Sequence, residues 1–127
     1  MPDFFSDLTT VALTKSLDGT AMRHKVIADN IANVVTPGFT RSDVTFEEKL
    51  KEAFQSESER KIESRINEVQ TEVETDTISP AGPNGNNVSI DKEMANLTKN
   101  TLMYETLVQL INMKGAMVRT AITGGNR

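Results

Sequence analysis

A mainly α-helical fold, with long helices at both ends of the chain and an extended or weakly ordered middle, is what this 127-residue sequence predicts. Three observations carry that expectation. Near the C-terminus Ile90, Met94, Leu97, Thr101, Tyr104, Val108, Ile111, Gly115, Val118 and Ile122 recur at alternating steps of four and three, the seam of a long coiled-coil helix. Near the N-terminus Leu13, Leu17, Thr20, His24, Ile27, Ile31 and Val34 keep the same alternation. Between the two seams charge gathers: Glu47 to Asp76 holds ten acidic and five basic side chains. Two amphipathic seams on one short chain need burial, against each other or against further copies. The pattern therefore points to assembly before it points to chemistry.

The first helix is expected to start after Asp3 or Ser6, either of which can cap free N–H groups, and to end before Pro37, which pushes Thr36 out of the helical region. About 28 residues at 1.5 Å each make a rod of roughly 40 Å. The last helix has Ser89 as a natural N-cap, Asp91 and Glu93 as first-turn charges that favour the helix dipole, and Gly124-Gly125 as its stop. It is expected to run for about 33 residues, or roughly 50 Å. Gly115 on its seam costs about 1 kcal/mol of helix propensity; either a close backbone approach by a neighbour offsets that cost or the glycine is an incidental small residue. In the middle, Phe46, Leu50 and Phe54 have helical spacing, Ile62 to Ile78 fit neither period, and Ser79 to Asn87 is a loop by composition. The organisation expected is an N-terminal helix within 1–36, an extended or loop segment at 37–85 and a C-terminal helix within 86–127.

Composition excludes several function classes. Only 37% of residues are hydrophobic, too few for a thick globular core. There is no cysteine, so no disulfide, thiolate nucleophile or thiolate metal site. A net charge of −4 gives no electrostatic reason to expect nucleic acid. The N-terminus has neither the basic nor the apolar region of a cleaved signal, and no run reaches the roughly 20 apolar residues of a membrane span. The expectation is a chain that is cytosolic or exported without a cleaved signal. His24, the sole histidine, lies on a seam without a second titratable group at catalytic spacing. Glu47, Glu48, Glu52, Asp91 and Glu93 read as solvated faces or helix-terminal charges. Gly82 and Gly85 sit in a loop without a phosphate-binding lysine, and the sequons at Asn87 and Asn96 are short matches. No enzyme, cofactor, metal or small-molecule substrate is expected.

Residues 28–41, Ala-Asp-Asn-Ile-Ala-Asn-Val-Val-Thr-Pro-Gly-Phe-Thr-Arg, are different in kind. As local structure they are a helix end, two asparagines, and a Pro-Gly turn that aims Phe39 elsewhere. As a string, with Asn30, Ile31, Ala32, Asn33, Thr36, Pro37, Gly38 and Phe39 as its core, they resemble the N-terminal signature of bacterial flagellar axial proteins, the rod, hook and hook-junction subunits. Ser42 to Glu47 continues as in rod subunits. Asn86 to Met94, followed by Asn100 to Tyr104, is similar to the C-terminal stretch of proximal-rod components.

The resemblance implies that the terminal helices pair as an antiparallel coiled coil and polymerise into a helical tube, with the middle facing outward. It implies other rod proteins, the junction with the MS ring and the flagellar type III export gate as partners, and a periplasmic basal-body location reached without a cleaved signal. Leu17, Ile27, Ile31, Met94, Leu97, Tyr104, Leu107, Val108, Leu110, Ile111 and Val118 are then the expected assembly surface, to which Met103 and Met117 add apolar area. Phe46 and Leu50 are the expected export signal, with Phe4 and Leu8 as a competing match. A cytosolic helical adaptor or export chaperone is the alternative reading, against which the 28–41 string speaks.

Overall fold

The computed structural model describes residues 8–55 and 58–124, so the expected caps Asp3 and Ser6, the Phe4 half of the competing export signal and the Gly125 stop lie outside the described residues. In chain order the elements are α1 (Leu8–Ala32), β1 (Ser42–Thr45), α2 (Glu47–Ala53), α3 (Glu59–Glu68), β2 (Glu72–Thr75) and α4 (Ile90–Thr123). The molecule is thus mainly helical, with long first and last helices and a small two-stranded sheet between them.

The contacts of α1 with α4 run in opposite directions along the two chains. Asn30 meets Glu93 at one end, Thr20 meets Asn100 further along, and Thr10 and Leu13 face Ile111 and Val118 at the other end. The helices therefore lie antiparallel. The stripe that α4 turns inward is displaced from the expected seam. Leu97, Val108, Ile111, Gly115 and Val118 belong to both, but Glu93, Asn100 and Lys114 are drawn in beside them, while Ile90, Met94, Thr101, Tyr104 and Ile122 of the expected seam stay exposed. On α1, His24 is likewise exposed, while Gly19, Thr20, Ile27 and Asn30 are buried. The cause is chemical. Glu93 and Asn100 each find a fixed partner across the pair, and hydrogen-bonded polar groups can hold an inward position that an apolar count assigns to their neighbours.

The middle is more ordered than its composition suggests. β1 and β2 pair antiparallel, Ser42 opposite Thr75 and Val44 opposite Val73. Residues 61–78, which fit neither period in the sequence, divide into a helix and a strand. α3 is opened by the Ser58 hydroxyl, which accepts from the Lys61 N–H, and closed by Lys15 of α1, whose Nζ donates to the Val69 carbonyl at 3.0 Å. Ile62, Ile66 and Val69 are spaced by four and three, so a helical stripe is present over barely two turns.

Four of the six buried apolar side chains among the described residues come from this region: Val44, Phe46, Ala53 and Ile66, the last with no exposed surface. Phe46 lies over Gly19 of α1, where a β-carbon would stand 2.5 Å from its ring carbons. The Arg23 guanidinium is 5.0 Å from the centroid of the same ring, donates to the Val44 carbonyl and pairs with Glu47. The hydrophobic core is therefore where the middle docks on α1, more than between the two long helices.

Candidate functional site: a polar clasp between the terminal helices

The two sequence strings that stood out, 28–41 and 86–94, meet at one end of the helix pair. α1 ends at Ala32 and leaves carbonyls with no helical partner. Asn86, from the loop before α4, supplies one: its Nδ2 donates to the carbonyls of Asn33 at 2.8 Å, Val34 at 3.2 Å and Thr36 at 2.8 Å. Its Oδ1 accepts from the Val88 N–H, so one buried carboxamide closes α1 and shapes the approach to α4. Asn33 is tied locally, donating to the Asp29 carbonyl and accepting from the Thr36 hydroxyl. Pro37 then turns the chain, and Gly38 takes φ +72°, a conformation that L side chains rarely adopt. The Gly38 N–H donates to the Asn84 carbonyl at 2.8 Å, and a β-carbon on Gly85 would sit 3.4 Å from Gly38 Cα. Phe39 is half-buried, and its carbonyl accepts from the Asn87 N–H.

Asn30 is fully buried and acts as a piece of backbone. Its Nδ2 donates to the Ser42 carbonyl at 2.8 Å and its Oδ1 accepts from the Ser42 N–H at 3.0 Å, which pins the start of β1 to α1. The same Nδ2 reaches Glu93 Oε2 at 3.3 Å. Glu93, expected as a solvated first-turn charge, is 1% exposed and takes Arg41 Nε on its other oxygen at 2.6 Å. Arg41 also donates Nη1 to Asp76 Oδ2 at 2.9 Å and its backbone N–H to Asn87 Oδ1 at 2.7 Å, while Asn87 Nδ2 donates to the Asp76 carbonyl. One arginine thus joins the end of β2, the entry to β1 and the first turn of α4.

Burial alone disfavours the guanidinium charge, but the bonds to Glu93 and Asp76 outweigh it and hold the Arg41 pKa above its ordinary value. Asp76 is held well below the usual carboxylate range, chiefly by the Ser79 hydroxyl and N–H and then by Arg41. Ser89 stands at the N-cap of α4, but its side chain makes no capping bond there. The first turn is organised around Glu93 instead.

Each sequence-singled residue now has a place. Asn30, Asn33, Thr36 and Gly38 build the clasp, Pro37 and Phe39 lie in its turn, Ile31 is half-buried beside it and Ala32 is exposed. Ile27 and Val118 are buried inside the subunit, which leaves them no surface to offer another copy. Leu17, Leu97, Leu107, Val108 and Ile111 are half-buried, and Met94, Tyr104 and Leu110 are exposed. Leu107, expected to lie outside the intramolecular seam, shares a recess with Ser16 of α1 and with Leu50 and Phe54. Phe46 is in the core and Leu50 half-buried. Arg41 and Asp76 were missed. Glu93 had one signal, its place four residues before Leu97 and seven before Asn100 on the inward line.

The clasp binds and orients, and no group of three metal-ligating side chains occurs among the described residues. No described helix is long and apolar enough to cross a membrane. What the fold and clasp define is a structural subunit: a clamped antiparallel helix pair with apolar surface left over. Sequence comparison narrows this. The chain is 32% identical over 118 residues to the flagellar basal body rod protein FlgB of Bacillus subtilis (strain 168), covering 89% of this chain and 92% of that protein. It is 33% identical to the FlgB of Borreliella burgdorferi and 37% identical to that of Borrelia hermsii, in each case covering 74% of this chain and 80% of the relative. No protein-family model matches. The chain belongs to the FlgB family of flagellar basal body rod proteins, structural subunits of the bacterial flagellum that assemble with other basal-body components.

Proposed function

We propose that this chain is a proximal-rod subunit that polymerises through its terminal helices, and that the face of α4 turned away from α1 is what it presents to neighbouring subunits. One observation carries the proposal. Leu102, Leu110, Met113 and Met117 are between 42% and 65% exposed and form a second strip on α4. It lies roughly a third of a turn from the line of Glu93, Asn100, Ile111 and Val118 that α1 covers. One partner helix covers one line of α4, and this apolar strip is left over. At about 25 cal/mol per Å², covering it contributes several kcal/mol at each contact, repeated around a tube. Met94, Tyr104 and Leu110 of the expected assembly surface remain available for such contacts, and the middle faces outward.

The subunit leaves the cytoplasm unfolded through the flagellar type III export gate and joins other rod proteins above the MS-ring junction in the periplasm. Phe46 and Leu50 are the segment read in transit. Burial of Phe46 over Gly19 restricts that reading to the unfolded chain. Secretion of a Phe46→Ala, Leu50→Ala variant at the parental rate would remove this element. The proximal position is tested with basal bodies isolated from cells arrested before hook growth. They should contain the chain, and its recovery only from hook-bearing structures would contradict a proximal position.

A further inference from the structure

We propose that Asn84 is a site of spontaneous deamidation, and that isoaspartate formed there unhooks the clasp at Gly38. Asn84-Gly85 is the one Asn-Gly pair in the sequence. Both residues are exposed, in the turn 82–85 closed by the Gly85 N–H donating to the Gly82 carbonyl at 2.9 Å. Glycine at the following position removes the side chain that would otherwise crowd the attacking nitrogen. The Asn84 side-chain oxygen accepts from the Asn86 N–H at 3.2 Å, a donor placed where negative charge develops when the side-chain carbonyl is attacked. Its Nδ2, the nitrogen that must leave, has no protein partner among the described residues. The neighbouring asparagines differ on each count. Asn86 and Asn87 are buried or half-buried, their amide nitrogens donate to the carbonyls of the clasp, and they precede Asn87 and Val88.

When the turn opens and base removes its proton, the Gly85 nitrogen attacks Asn84 Cγ, and the tetrahedral intermediate expels the amide nitrogen as ammonia, leaving a cyclic imide. Water then adds to the imide. Breaking the bond from the nitrogen to Cγ gives aspartate; breaking the bond to the former backbone carbonyl carbon gives isoaspartate, with the chain rerouted through the side chain. In the second product the carbonyl that accepted from the Gly38 N–H becomes a free carboxylate on a lengthened backbone. Gly85 no longer seats against Gly38, from which its β-position is now 3.4 Å.

The test incubates the purified full chain at neutral and alkaline pH, maps isoaspartate by enzymatic methylation and peptide mass analysis, and reads amide hydrogen exchange at Gly38. Isoaspartate should appear first at residue 84, severalfold ahead of residues 86 and 87 and faster at alkaline pH. The modified fraction should lose protection at Gly38. An Asn84→Gln variant keeps the backbone carbonyl but cannot close the five-membered ring efficiently, and it should retain that protection through the same incubation. Modification at other asparagines with residue 84 intact, or a fully modified chain that still protects Gly38, would overturn the proposal.

Discussion

Glu93 shows how a single side chain can be misjudged from its neighbours and rightly placed by its partners. Its position in the first turn of α4 is that of a dipole-compensating surface acid, yet it is buried between Arg41 and Asn30. Removing it leaves a guanidinium with much of its neutralising partner gone, and breaking such a buried pair costs about 3–5 kcal/mol. Glu93→Leu should therefore lower the denaturation midpoint sharply, with Glu93→Gln losing less because it keeps acceptor and donor atoms. Asp76 gives the clasp an acid limit. Its folded-state pKa is depressed, so the stability it contributes is present in full above the ordinary carboxylate range, near 3.8, and is lost as pH falls below that toward the folded value. An Asp76→Asn variant should show a smaller drop in thermal midpoint between neutral pH and pH values below that range than the parent. Gly115 is the opposite case. The close approach that would justify a seam glycine is not made, since a β-carbon there meets nothing within 4 Å. Gly115→Ala should stabilise the subunit by about 0.5–1 kcal/mol in denaturant titrations.

At the level of elements, the long helices, the end of α1 and the start of α4 were legible because a seven-residue apolar rhythm survives many repeats and because Pro37 and Ser89 punctuate it. The rotation of α4 about its axis was not. Apolar counting gave its inward line to Met94 and Thr101. Glu93 and Asn100 take those places because Arg41 and Thr20 meet them from 52 and 80 residues away, and no local window contains such partners. α3 escaped for a different reason: its stripe of Ile62, Ile66 and Val69 is short, and it stabilises a helix only through docking on α1 and α2. The motif asparagines were visible as unusual residues, but their use as backbone substitutes emerges only when the 86–94 loop is in place. The revised rotation separates two substitutions that the apolar rhythm alone treats alike. Val118→Asp puts a charge on the buried line and should unfold or strongly destabilise the isolated subunit, as read by circular dichroism. Leu110→Ser with Met117→Ser lies on the uncovered strip and should leave the thermal midpoint nearly unchanged.

For the molecule as a whole, these features divide labour between the two ends of one helix pair. The clasp and the docked middle make a subunit that holds its shape, with the core concentrated around Val44, Phe46 and Ile66. The far end of α4 contributes only Val118 to the buried apolar set, and Leu110, Met113, Met117 and Ile122 are exposed there. Native-state hydrogen exchange should accordingly show amides of residues 22–31 and 94–100 protected to the level of global unfolding, and amides beyond residue 110 exchanging through cheaper local opening. The central claim is that the uncovered strip of α4 builds the rod while the covered strip builds the subunit, and the most direct measurement is the amount of the Leu110→Ser, Met117→Ser variant recovered in purified basal bodies. The account predicts a folded, secreted protein that is absent from them; recovery at the parental level would contradict it.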